Sequence, residues 1–344
     1  MRKFTVILLL LVIVVPVSAA QIEAPEVPPS GERLMPEAES FGEGLLMIME
    51  DLLPLIRPDL YEASNVCFGM IATAMLCSLL CSASERIKVT ADIVATATIA
   101  ASMFLSVGSL VNLADYTISE MTEYGKLLLP VMTTALAAQG AAGTSTALYA
   151  GTAVVDHLIS ALISSLLTPI VYLFLSVSVA AAATGEEMLK KLKDGIRSIV
   201  TWGLKTLLTV FTAYMGMTGV ISGTADAAAL KVTKAAMSTF VPVIGGILSE
   251  SSEAVLLSVG LAKNAAGLYG IFAILAIFLE PFLLIGCHYL LLKVTAAICG
   301  VIGTKSVAGL VEDMSSGMGL LLAMTGAMCL LLLISCICFL KGVS

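Results

Sequence analysis

Residues 266–292 read AGLYGIFAILAIFLEPFLLIGCHYLLL, an apolar run broken only by Glu280 with Pro281 and by His288. It exceeds the roughly 20 residues that cross a bilayer as a helix. Comparable stretches occupy 66–84, 91–113, 127–150, 152–184, 200–222, 240–262 and 317–340. Of the 344 residues, 58% are hydrophobic and 12% charged, against about 25% charged in soluble domains. A soluble enzyme is thereby excluded, and the expected fold class is all-α, a polytopic helical membrane protein. The net charge is −7. Without a broad basic surface to neutralise phosphates, nucleic acid is not expected as a partner; membrane lipid is.

The N-terminus has the order of a secretory signal peptide over residues 1–20: Arg2 and Lys3, an apolar core Phe4–Val15, then Pro16, Ser18, Ala19 and Ala20. That core is shorter than a span, so cleavage after Ala20 is expected, with an uncleaved first span as the alternative. Residues 21–65 carry ten acids against Arg33 and Arg57. Within them, 21–40 hold Pro25, Pro28, Pro29 and Pro36 among glutamates and read as an extracytoplasmic linker. From 42 to 60 the apolar positions recur at helical spacing, predicting an amphipathic helix that Pro54 kinks or divides.

Two stretches, 127–150 and 240–262, are crowded with small and polar residues, including Gln139 and Thr144 in the first and Ser249, Glu250 and Glu253 in the second. Such segments persist at membrane depth only under protein or beside a watery cavity. They also open a candidate duplication at an offset of 112. Pro130 and Pro169 match Pro242 and Pro281, Ile159 matches Ile271, and Lys193 matches Lys305. The expected units are a two-span segment 66–126, repeat 1 over 127–238 and repeat 2 over 239–344. Placing Arg86, Lys88 and the cluster Lys190, Lys191, Lys193 and Arg197 in the cytoplasm requires 127–150 to be re-entrant; the same choice for 240–262 puts Lys293 and Lys305 inside, leaving about six spans. Residues 188–199 read as an interfacial helix against anionic lipid, or as a dock for a cytoplasmic partner.

Enzymatic chemistry finds no scaffold here. The eight cysteines lie in apolar stretches and behave as small hydrophobes. Cys77 with Cys81 and Cys336 with Cys338 lack nearby histidines for a zinc set, so no metal is expected. Gly300–Ser306 looks like a phosphate loop but has Thr304 where glycine must precede the lysine. No catalytic residue and no cofactor are expected. What remains are ionisable groups in apolar surroundings: Asp156 with His157, Lys205, Glu253 and Glu280. Each costs about 2.5–3.5 kcal/mol at a bilayer centre unless paired or hydrated. Glu280 before Pro281 reads as a polar kink, either a gate or a structural bend whose acid is protonated or paired, with Lys205 a candidate partner; Thr168–Pro169 is its counterpart. Asp156 and His157 are either a proton relay or headgroup-solvated at a span's start. Pro242, Gly245 and Gly246 form the candidate re-entrant turn.

The segment Trp202, Leu204, Lys205, Thr206, Leu207, Thr209, Phe211, Thr212 and Tyr214 resembles stage III sporulation protein AE of endospore-forming bacteria. The resemblance continues through Ile221–Gly223, Asp226, Lys231 and Lys234, then Val241–Val243, Gly245, Gly246, Leu248, Ser249 and Glu253, and Lys263, Asn264, Gly267 and Gly270. It implies a permease-like, non-enzymatic component of the channel between mother cell and forespore, in the mother-cell-derived outer forespore membrane. It also implies partners: other stage III A proteins, including the secretion-type ATPase AA and the ring proteins AG and AH, and forespore protein Q. A structural scaffold for those subunits and a stand-alone proton-coupled transporter are the other readings. A reporter enzyme fused anywhere from Gly185 to Lys193 should be active only in the cytoplasm; extracytoplasmic activity there overturns the orientation.

Overall fold

The computed structural model describes residues 25–38, 40–84, 86–136, 142–217 and 265–341. Among these residues the chain is helical: α1 (Pro29–Glu32), α2 (Phe41–Ala83), α3 (Lys88–Leu136), α4 (Ala142–Leu162), a π-helical turn (Ile163–Leu167), α5 (Thr168–Thr184), α6 (Glu187–Met217), α7 (Ala265–Ile302) and α8 (Lys305–Lys341). Five helices are long and apolar enough to cross a membrane: Phe41–Ala83, Lys88–Thr134, Gly151–Thr184, Gly267–Ile302 and Lys305–Ile337. The expected span over 200–222 falls on α6, which is not among them, and its residues 218–222 lie outside the described part. The signal peptide and the second re-entrant stretch, 240–262, also lie outside it.

Local signals set the helix ends. Ser40 caps α2, its hydroxyl accepting from the Glu43 backbone N–H at 3.4 Å, and Ser40 with Glu43 makes the sequence pattern of a capping box. Gly185 ends α5 with φ 71° and returns its N–H to the Ala181 carbonyl, a left-handed cap that favours glycine. The division expected at Pro54 does not occur: α2 runs on as one helix through Pro54 and Pro58. The prolines remove ladder bonds, but Ile48, Leu52 and Ile56 keep one face of the helix buried on either side of them.

At the centre lies α8, with 89% of its most apolar window buried. It packs against α7, α3, α5 and α6. An α-helix apolar all round must be enclosed, and here protein supplies most of the enclosure. Cross-contacts give the directions. Thr304 hydrogen-bonds Asp92 at the start of α3, and a Cβ on Gly125 would lie 2.7 Å from Leu332, so α3 and α8 run parallel. Asp156 meets Ser335, and a Cβ on Gly317 would lie 2.5 Å from Leu175, so α4 and α5 run opposite to α8. Phe41 stacks on Phe272 with ring centroids 5.6 Å apart, and Gly303 nears Ala74, aligning α2 with α7. The short turns after α2, α5 and α7 therefore share one end of the bundle. Arg86, Lys88, Lys190, Lys191 and Lys305 lie at or near those turns.

The stretch 127–150, expected to be a separate re-entrant hairpin, is divided in the structure. Residues 127–136 prolong α3, and 142–150 open α4. Leu128, Leu129 and Met132 are buried, and Leu128 and Met132 lie against Gly270 of α7, so protein covers this run. The long hairpin still returns the chain to the end where α3 begins. The expected duplication is not matched turn for turn. At the offset of 112 the turn at 185–186 would fall at 297–298, inside α7, whereas the corresponding turn is at 303–304. The interfacial helix expected over 188–199 is instead the opening of α6. Ile196 is buried, Met188 and Ile199 are exposed, and Lys193 turns inward to Asp313 at 2.7 Å with both side chains largely buried.

Part of the expected N-terminal linker is packed. Leu34 is 3% exposed and clusters with Leu52, Ile56 and Ala276. A Cβ on Gly31 would approach Ile277 Cγ1 to 2.8 Å, and Ser30 hydrogen-bonds Glu120. A segment too polar to fold alone is thus held by the groove offered by α2 and α7. Leu34→Asp should free it, because burying an unpaired charge costs far more than the leucine contributes. Tryptic cleavage after Arg33 should then be several-fold faster than in the wild type, and an unchanged rate refutes the docking.

Candidate functional site

Along α4, the π turn and α5, a polar residue recurs at every fourth position: Thr152, Asp156, Ser160, Ser164, Thr168 and Tyr172. At four residues per step, a strict α-helix would wind such a stripe around its axis, because its turn holds 3.6. The π turn at 163–167 widens the helix midway and takes up part of that drift. Pro169 follows it two residues on, at the start of α5. Proline has no N–H to offer the preceding turn and its ring crowds it. The Thr168 hydroxyl donates back to the Ile163 carbonyl at 3.4 Å.

Facing this stripe, α3 presents Asn112, Asp115, Thr122 and Lys126. Ser164 and Thr168 donate to Asp115 Oδ1 at 3.2 and 3.4 Å. The Tyr172 hydroxyl donates to Asn112 Oδ1 at 3.0 Å. At the other end, Asp156 is 9% exposed, and Ser335 of α8 donates to its carboxylate at 3.2 Å to Oδ2 and 3.5 Å to Oδ1. The Ser160 hydroxyl donates to the Asp156 backbone carbonyl at 2.7 Å. Beside them is a cavity of about 90 Å³, lined by Thr122, Lys126, Asp156, His157, Ser160 and Met328 among others. It is roomy enough for several waters. The Thr152 hydroxyl, one helical turn before Asp156, is fully buried and has no partner among the described residues. From Thr152 to Tyr172 the seam extends roughly 30 Å along the helix axis.

Asp156 and His157 do not act as a pair. The acid is buried between helices, whereas His157 is exposed at the cavity rim. Neither of the two sequence-level readings foresaw an acid enclosed by α8. Glu280 lies at the middle of α7, with its carboxylate 4.0 Å from the Arg33 guanidinium. Its expected cation, Lys205, is half-buried on α6 and forms no ion pair among the described residues. Arg33 takes its place because the N-terminal segment docks on α7. Pro281 is buried within a helix that continues past it. Glu253, Pro242, Gly245 and Gly246 lie outside the described residues. His288 borders a second cleft, of about 310 Å³, with Asp59 and Glu62. The Cys77 and Cys81 sulfurs are 3.9 Å apart. Among the described residues no cluster of histidine, cysteine or acid suits a metal ion. Sequence reading passed over Thr152, Ser160, Ser164, Asp115 and Asn112. The four-residue spacing was the signal that could have found the first three; Asp115 and Asn112 lie on α3, outside that stripe.

Among the described residues, five helices long and apolar enough to cross a membrane, with a seam of acids and hydroxyls between α3 and α4–α5, define a polytopic helical membrane protein. This chain belongs to the stage III sporulation protein AE family, whose profile matches residues 37–342. It is similar to Stage III sporulation protein AE of Bacillus subtilis (strain 168), with 23% identity over 193 residues, covering 56% of this chain and 48% of the relative. The match therefore spans about half the length of that curated relative. No solved structure matches.

Ser335 is the one hydroxyl that reaches the Asp156 carboxylate among the described residues. Ser335→Ala should lower stability by about 1–3 kcal/mol, the cost of an unmade buried hydrogen bond, while Ser335→Thr should retain most of it. Thermal unfolding in detergent checks this; equal midpoints for alanine and wild type refute it.

Proposed function

We propose that this chain is a non-enzymatic, multi-pass membrane subunit of the channel complex that joins the mother cell to the engulfed forespore. In this reading it resides in the mother-cell-derived outer forespore membrane. It works there with other stage III A proteins, including the ATPase AA and the ring proteins AG and AH, and with forespore protein Q. Family membership supports the role in sporulation. In this reading the solute route is completed with the partner subunits, and the seam is the geometric observation that favours a transport role over anchoring alone. A bundle built only to anchor other subunits gains nothing from enclosing Asp156, because an enclosed charge costs several kcal/mol. A polar line between helices is what a membrane pathway requires.

Reconstitution discriminates the readings. Small-molecule uptake into liposomes should appear only when this chain is combined with the other subunits. Uptake by the chain alone identifies a stand-alone transporter, and no uptake in either preparation identifies a scaffold.

A further inference from the structure

We propose that the seam between α3 and α4–α5 is a proton relay, an activity of this chain by itself. This rests on the chain's membrane location but not on its membership of a larger channel. Three observations meet along one line. The seam is roughly as long as a bilayer's hydrocarbon core is thick. Near its Thr152 end lies a carboxylate buried between helices, beside a cavity roomy enough for several waters, and Ser160 and Ser164 follow at successive turns toward a second carboxylate, Asp115. Its buried hydroxyl at Thr152 has no partner among the described residues, and a native protein satisfies such a group with water or a ligand.

The surroundings select the proton over larger cations. On α3, Lys126 lines the cavity and is paired with Glu123 at 2.6 Å, so the entrance carries no excess negative charge to gather hydrated alkali ions. On α4, His157 stands at the rim. On α8, Met328 and Leu332 give the cavity apolar walls, leaving too few oxygens to replace an ion's hydration shell. A proton needs no such shell. It crosses as each group accepts one proton on its oxygen and releases its own to the next, so every carboxyl, water and hydroxyl returns to its starting composition. Asp156 takes a proton at the cavity and passes it through cavity water and Ser160 toward Ser164. Asp115 receives it and releases it on the side of Tyr172 and Asn112, where the seam reaches the outside of the bundle.

The test uses the full chain in liposomes loaded with a pH-sensitive dye, under a potential set by potassium and valinomycin. Wild type should acidify the lumen at least roughly tenfold faster than protein-free vesicles, and Asp156→Asn and Asp115→Asn should each remove most of that excess, the range expected when a proton-transfer group is lost. Asp156→Glu should restore part of it. Glu187→Gln, at an exposed position on α6, should match wild type. Circular dichroism and gel filtration establish that each variant is folded. Wild type no faster than empty vesicles overturns the relay, as does a folded Asp156→Asn that equals wild type. Sodium entry as fast as proton entry also overturns it, since that requires an open aqueous pore. Solute uptake with the partner subunits is a separate readout, so either result can fail without the other.

Discussion

Lipid offers no hydrogen bonds, and this one constraint organises the bundle: whatever is polar between the helices must be satisfied by protein or by enclosed water. The helix with the most apolar 18-residue stretch, α8, takes the centre, and the helices around it turn their hydroxyls and acids toward one another. Ser164 and Thr168 on Asp115, Tyr172 on Asn112, and Ser335 on Asp156 are all contacts between different helices. Many other hydroxyls, such as Thr117, Ser178 and Thr295, bond back to their own helix and tie nothing together. The seam is where that self-satisfaction gives way to cross-helix pairing.

The same constraint explains Arg33. A carboxylate midway along α7 would be expensive in a bare apolar face. The N-terminal segment supplies a guanidinium to Glu280, with Leu34 and Gly31 fixing the approach. With the Arg33 side chain 65% exposed, the ion pair itself contributes little, about 1 kcal/mol or less. The buried leucine is the stronger anchor. Charge and apolar contact divide the work: the leucine holds the segment, and the arginine keeps Glu280 from facing apolar neighbours without a counter-ion.

Much of this was legible in residue order. Apolar runs located the helices, and Asp156 and Glu280 stood out because charge is rare in such runs. Their partners were not legible. Pairing Glu280 with Lys205 relied on charge alone, and the actual partner lies in a proline-rich segment whose composition argued against folding. The hydroxyls of the seam were visible as letters, but serine and threonine are common in membrane helices and usually serve their own backbone. Only the facing carboxylate of Asp115 separates Ser164 and Thr168 from Thr184 or Ser176. The divided 127–150 stretch is similar: nothing in its composition shows that Leu128 and Met132 pack against Gly270 of α7.

Sequence alone determined the class of protein, because hydropathy accumulates residue by residue and needs no knowledge of neighbours, and its family, through the particular residues matched over 37–342. Which helices face each other, which acid meets which hydroxyl, and which cation reaches Glu280 were decided only by the tertiary structure. Those pairings join residues from 49 to 247 positions apart. They depend on how a nearly featureless apolar helix, α8, settles among its neighbours through shape and packing, which its own row of leucines does not specify.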